Sequence, residues 1–176
     1  MKKFADVWEF NTATKTWRQR DAAPWKPRWF HGMAVTYSGE VVVAGGQAGF
    51  FSLHDVWKMD TAGKWSQVTA KAPWSGRSQF GLMASPVAPL MVLAGGMGVE
   101  VEDSVWQLHT ETWEWTKLPP LPTSDVGPSL TVWGACILRV SGGSVPCRGW
   151  HCGSQQFVET SKEWQIAINT TGLAVA

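Results

Sequence analysis

The sequence predicts an all-β protein assembled from repeats of four short antiparallel strands. Three observations carry that prediction: a motif that returns about every fifty residues, β-rich runs too short for a helix, and turn residues between those runs. The 176 residues allow one ordinary domain. Hydrophobic residues make up 44% of the chain, with 13 Trp, and no long polar tract interrupts them, which is the composition of a chain that buries a core.

The repeat is legible in tryptophans and glycines. Asp6, Val7 and Trp8 return as Asp55, Val56 and Trp57, and again as Asp103, Ser104, Val105 and Trp106, so the three tryptophans stand 49 residues apart. A second tryptophan follows each, at Trp17, Trp65 and Trp115, and Trp164 is read as continuing that series. Glycine doublets fall at Gly45/Gly46, Gly95/Gly96 and Gly142/Gly143. Ala23, Pro24, Trp25 and Arg28 align with Ala72, Pro73, Trp74 and Arg77, whereas Val126 or Gly127 stands where the third copy should carry its arginine. The last copy is degenerate, with Phe157 to Trp164 aligned on Phe10 to Trp17 and on Leu108 to Trp115.

Within one period, Val41 to Val43 and Met91 to Leu93 run into the glycine doublets, and Ser38, Gly39 and Pro86 separate each run from an apolar segment before it. No helical period of ten residues survives these breaks. Strands are expected over about 30–36, 40–45, 55–60 and 64–69 in the first full copy, with the chain beginning in the last two strands of a preceding unit.

Four short strands every fifty residues, with a glycine doublet and a downstream tryptophan, resemble the kelch repeat of β-propellers. The resemblance covers essentially the whole chain. It implies four-stranded antiparallel blades: a half blade over 1–20, blades over 28–69 and 77–118, a degenerate blade over 127–168 and a tail over 169–176. It also implies that Gly45, Gly46, Gly95, Gly96, Gly142, Gly143, Trp17, Trp65, Trp115, Trp164, Arg28 and Arg77 build the blades rather than touch a ligand. About three blades and a half, or 14 strands, fall short of the four to eight blades that close a propeller ring. Open edges invite pairing with another chain, so self-association is expected there. The tail Gly172 to Val175 offers one further strand beside the N-terminal pair.

Charge and composition exclude several partners. A formal net charge of +1 makes neither nucleic acid nor an anionic membrane the default partner. The uncharged stretch Ser78 to Val99 is broken by Pro86, Pro89 and four glycines and matches an earlier segment of the chain, so no transmembrane span is expected. The N-terminal residues show no apolar run of signal-peptide length, and the three cysteines are an odd number, which together favour the cytoplasm. The sequon at Asn169 would matter only in the secretory pathway.

No catalytic residue, metal or cofactor is assigned. Copper radical oxidases on this fold need two tyrosines and two histidines around the metal, and Tyr37 stands alone. Cys136, Cys147, His151 and Cys152 lack the tight spacing of a zinc motif; the cysteines are read as inert loop thiols, with a Cys147–Cys152 disulfide as the alternative. His31, His54 and His109 fall on different repeats without recurring, so no triad is read. Arg28 and Arg77 recur at one repeat position, which favours packing on a blade tryptophan over recognition of an acidic peptide. Asp6, Asp55 and Asp103 recur too, and are expected to hold the turn into the third strand.

The segments that vary between repeats are Gln47 to His54, Met97 to Glu102 and Ser144 to Ser154, and variable loops on a rigid repeat are where specificity resides. Phe50, Phe51, Leu53 and His54 are the expected contact residues. The expected function is a non-catalytic module that binds a protein partner through these loops. The alternative is part of the propeller of a kelch-type sugar oxidase or sugar isomerase whose catalytic residues lie outside this chain.

Overall fold

The structure is a computed structural model that describes residues 5–133, 137–141, 144–146, 157–159 and 163–167. Among them are seventeen strands and no helix, and every pairing is antiparallel. No helix of the described residues is long and apolar enough to cross a membrane.

An N-terminal pair, β1 (Val7–Asn11) and β2 (Thr16–Arg20), comes first. The first sheet follows with β3 (Gly32–Val35), β4 (Val41–Ala44), a small hairpin of β5 (Gln47–Ala48) and β6 (Phe51–Ser52), then β7 (Val56–Met59) and β8 (Trp65–Thr69). Its hydrogen-bonded order is β3-β4-β7-β8, with the hairpin standing outside as its own two-stranded sheet. These four strands fall inside the segments expected from the sequence. The second sheet repeats the order with β9 (Gly81–Ala84), β10 (Leu90–Ala94), β11 (Val105–His109) and β12 (Glu114–Leu118).

The third sheet departs from the expected four strands. It contains β13 (Ser129–Trp133), β14 (Ile137–Ser141) and β17 (Glu163–Ala167), while β15 (Ser144–Pro146) and β16 (Phe157–Glu159) pair separately. Phe157 to Glu159 therefore bonds to Ser144 to Pro146 instead of serving as the sheet's third strand. Trp164 stands opposite Val140, as Trp57 stands opposite Val43 and Trp106 opposite Leu93. It thus holds the third-strand position and does not continue the fourth-strand series of Trp17, Trp65 and Trp115. β14 takes β17 as its partner, while β15 and β16 pair with each other. Gly142, Gly143, the cysteines, His151 and the tail lie outside the described residues.

Side chains alternate between the two faces of each strand, so register decides what is buried. One face of the first sheet, carrying Ala34, Val42, Ala44 and Val56, packs on the face of the second that carries Leu82, Ala84, Met91, Leu93, Leu108 and Trp115. The other face of the second sheet, with Leu90, Val92, Ala94 and Val105, packs with Leu121 and with Leu130 from β13. All five residues of β10 are buried, as expected of a central strand covered on both sides. Burying each such aliphatic side chain contributes about 1.5–3 kcal/mol. Trp74, from the segment joining the two sheets, is 2% exposed and meets Trp115 edge-on at 5.7 Å.

Candidate functional site

The glycine doublets, the arginines and the variable loops all gather at one end of the sheets. β4 and β10 finish there, and the chain turns through Gly45/Gly46 and Gly95/Gly96 with φ of 53° and 95° and of 63° and 105°. These left-handed values suit glycine. They also leave room for the next connecting segment: Gly46 donates to the Arg77 carbonyl at 2.9 Å, and Gly96 to the Asp125 carbonyl at 2.7 Å. A side chain on Gly45 would come within 2.9 Å of that Arg77 oxygen. The matching bonds place Asp125, not Val126 or Gly127, where the third copy should carry arginine.

Arg28 closes the first doublet. Its guanidinium grips Asp55 through two bonds of 2.7 and 2.8 Å, donates to the Gly45 carbonyl at 2.9 Å and lies 5.4 Å from the centre of Trp25. Asp55 also accepts from Trp57 Nε1 at 2.8 Å, as Asp6 accepts from Trp8 Nε1 at 2.7 Å. Burial opposes ionisation of Asp55, but the bonds from Arg28 and Trp57 and the Arg28 charge outweigh it, holding the carboxyl below its ordinary value.

Arg77 is bound differently. It donates to the carbonyls of Gly95 and Ser75 at 3.1 Å each and to the Ser75 hydroxyl at 2.8 Å, and its carboxylate partner is Glu102 at 3.3 Å. Burial lowers its pKa, and the charges of Glu102 and Asp103 partly offset that. A substitution explains the difference. The Ser104 carbonyl accepts from Gly95 as the Asp55 carbonyl accepts from Gly45, so Ser104 and not Asp103 holds the aspartate's position, and among the described residues Trp106 Nε1 finds no acceptor. Glu102, which stands where the first copy has Leu53, was not foreseen in this role. Both arginines are buried and spent on the fold, so neither side chain is free to grip an acidic peptide.

The segment expected to contact a partner divides in two. Leu53 and His54 are half-buried: the Leu53 backbone bonds to Gly46 and Arg77, the His54 carbonyl accepts from Ala72, and the His54 ring faces Trp74 at 6.5 Å. Phe50 and Phe51 project from the β5–β6 hairpin, 99% and 76% exposed. Trp29 holds that hairpin in place through two backbone bonds to Gln47 and a third from its indole at 3.2 Å. The neighbouring loop adds a fully exposed Val99 beside exposed Glu100 and Asp103, and Phe30 lies exposed at the same end. Val99 and Phe30 were not singled out in the sequence, where a lone apolar residue in a loop carries no periodic signal.

The three described histidines do not meet. His31 backs Gly46, His54 faces Trp74, and His109 lies at the opposite end of β11, where its Nδ1 accepts from the Thr112 amide. Burial, with help from the Arg28 charge, lowers the pKa of His31. Tyr37 sits in the turn between β3 and β4, also at the far end. No group of three or more metal-ligating side chains forms among the described residues.

The model of the KLHDC2/KLHL20/DRC7 Kelch-repeats domain matches residues 1–143. No curated protein matches the chain. Repeated doublets that receive the next connecting segment, four-stranded sheets stacked face to face and that match over most of its length together place the chain in the kelch-repeat family, within the KLHDC2/KLHL20/DRC7 type.

Proposed function

We propose that this kelch module is non-catalytic and binds a protein partner in the cytoplasm through its loop end, with Phe50 and Phe51 as the anchors. The observation that carries this reading is two adjacent phenylalanines held almost fully in water by a hairpin that Trp29 fixes to the sheet. Exposing two such rings costs hydration free energy that a docked partner would recover, and a pre-ordered hairpin loses little entropy on binding. Kelch modules commonly bind proteins, which supports the same reading. With Val99, Glu100 and Asp103 on the adjacent loop, the surface suits an apolar segment flanked by basic residues.

The test is a photo-crosslinking residue placed at Phe50 or Phe51 in cells, with the captured protein then titrated against the purified chain. Phe50→Asp with Phe51→Asp should weaken that binding at least thirtyfold, the scale of a hot-spot loss, while leaving the melting temperature unchanged. A captured partner whose affinity survives the double substitution would remove the loops from the reading.

A further inference from the structure

Ser75, Gly76 and Arg77 run between the two loops that differ most between the first and second copies. On one side Gly76 lies so close to the Ser52 carbonyl of the β5–β6 hairpin that a Cβ would collide with it, and the Arg77 amide donates to the Leu53 carbonyl at 3.0 Å. On the other side a Cβ on Gly98 would stand 2.9 Å from the Gly76 carbonyl. The Glu102 carboxylate, at the end of that second loop, accepts from the Ser75 hydroxyl and lies 3.3 Å from the Arg77 guanidinium. The loop is also tied by backbone, through the paired bonds of Met97 with Ser78.

The Ser75 hydroxyl stands at the centre of this junction, and it is accessible. Along 71–75 the chain exposes Lys71, Pro73 and Ser75 while it buries Ala72 and Trp74. Behind the hydroxyl, Arg77 Nη2 donates to it at 2.8 Å from a side chain that is 1% exposed. The first copy lacks this pairing: Lys26 takes the place of Ser75, and Arg28 is already gripped by Asp55 through two bonds. A buried guanidinium whose carboxylate stays at a longer contact is matched better by a phosphate, which accepts short charge-assisted bonds from the planar donors, than by a neutral hydroxyl.

We propose that Ser75 is a phosphorylation site and that its phosphate takes Arg77 from Glu102. A protein serine kinase supplies the γ-phosphoryl group of ATP: the Ser75 oxygen bonds to the γ-phosphorus, the bond from that phosphorus to the oxygen bridging the β-phosphate breaks, ADP leaves, and the hydroxyl proton passes to the kinase's base. The product carries about −1.5 to −2 charges at neutral pH and three strong acceptor oxygens beside Arg77. Glu102 loses on two counts. The proton that Ser75 donated to it is gone, and a like charge now stands next to it. The carboxylate turns away, so the Met97 to Glu102 loop keeps its backbone bonds to Ser78 but loses its side-chain tie to the segment. This change acts on the loop whether or not a partner binds there, and it does not rest on Phe50 and Phe51 as anchors.

The experiment has two arms. Mass spectrometry of the chain purified from the cells that express it, with phosphatases inhibited, should find phosphate on Ser75. In the second arm the full chain is made with phosphoserine at Ser75 and compared with the unmodified chain by hydrogen exchange. The amides of Gly98 and Glu102, which bond to the carbonyls of Glu100 and Gly96 within the loop, should exchange at least tenfold faster, while those of β10 hold their rates. Glu102→Gln removes the charge that the phosphate repels, so in that variant phosphoserine should change the same two rates less than twofold, and unchanged β10 rates report that the variant is folded. Unmodified Ser75 in the cells, unaltered exchange at Gly98 and Glu102, or equal acceleration in the Glu102→Gln variant would each overturn the proposal.

Discussion

The first and second sheets share strand order and, apart from a bulge between β7 and β8, register, yet among the described residues the second is covered on both faces and the first fully on only one. In the second, Trp74 is sealed between Trp115, Phe80 and His54, and every residue of β10 is buried. In the first, the equivalent Trp25 stacks on Trp57 at 5.3 Å and Trp65 at 4.6 Å but stays half-buried, and Met33 and Val35 face water. The reverse holds for their arginines: Arg28 has a bidentate carboxylate, whereas Arg77 relies on two carbonyls, a hydroxyl and a longer contact to Glu102. One repeat is therefore held chiefly by packing and the other leans more on a charged pair. Residues at matching positions of a repeat do not carry matching energies, because each depends on the neighbour its own unit happens to have.

Tryptophan truncation should separate the sheets most. Trp74→Ala is expected to cost about 3–5 kcal/mol, a large part of the 5–15 kcal/mol that holds a typical domain folded. Trp25→Ala should cost roughly half as much, because half-burial recovers less on packing. Denaturant titration of the two variants decides the point, and equal losses would mean that both outer faces are equally covered.

Arginine removal should reverse the order. Arg28→Ala strands a half-buried Asp55 carboxylate and should cost about 3 kcal/mol, against about 2 kcal/mol for Arg77→Ala, whose chief bonds are to neutral acceptors. The same denaturation midpoints serve as the measurement. A greater loss at Arg77 would show that burial outweighs the bidentate geometry.

Acid should weaken the first sheet through Asp55. The folded Asp55 pKa lies below its unfolded value, so its contribution is complete above about pH 3.9 and is lost as pH falls through the lowered folded value. In a pH series of thermal melts, the wild type should lose this increment below about pH 3.9. Arg28→Ala should show a flatter profile over that interval, and parallel curves would remove the pair from the acid response.

The smallest effect concerns backbone strain at the start of the sheets. Phe30, Gln79 and Gly127 have φ of 54°, 53° and 73°, and backbone bonds run from Gln79 to Phe30 and from Gly127 to Gln79. Gln79→Gly should raise stability by about 1 kcal/mol by relieving a left-handed non-glycine residue. A fall in melting temperature would show that the Gln79 side chain contributes more than its backbone costs.

Strand positions in the first two copies were legible because valine runs, turn residues and glycine doublets all mark them locally. The third copy was not, since spacing assigns its tryptophan to the fourth strand: Trp164 follows Trp115 by 49 residues, the period of the repeat, and Trp106 by 58. Only the pairing of Val140 with Trp164 puts it on the third strand, and that is a contact between distant segments. The candidate site divides the same way. That Gln47 to His54 varies between repeats is visible in the sequence. That Phe50 and Phe51 project while Leu53 and His54 turn inward follows from bonds to Gly46, Arg77 and Ala72, which no local pattern announces.

By itself the sequence determined the repeat, its four-strand unit and the glycines that must turn left-handed, because each follows from local preference repeated at a fixed period. The tertiary structure alone decided which carboxylate each arginine takes, where arginine's place falls in the third copy and which apolar face stays uncovered. Those outcomes depend on the neighbouring segment, and a substitution such as serine for aspartate at Ser104 changes a partner without disturbing the period.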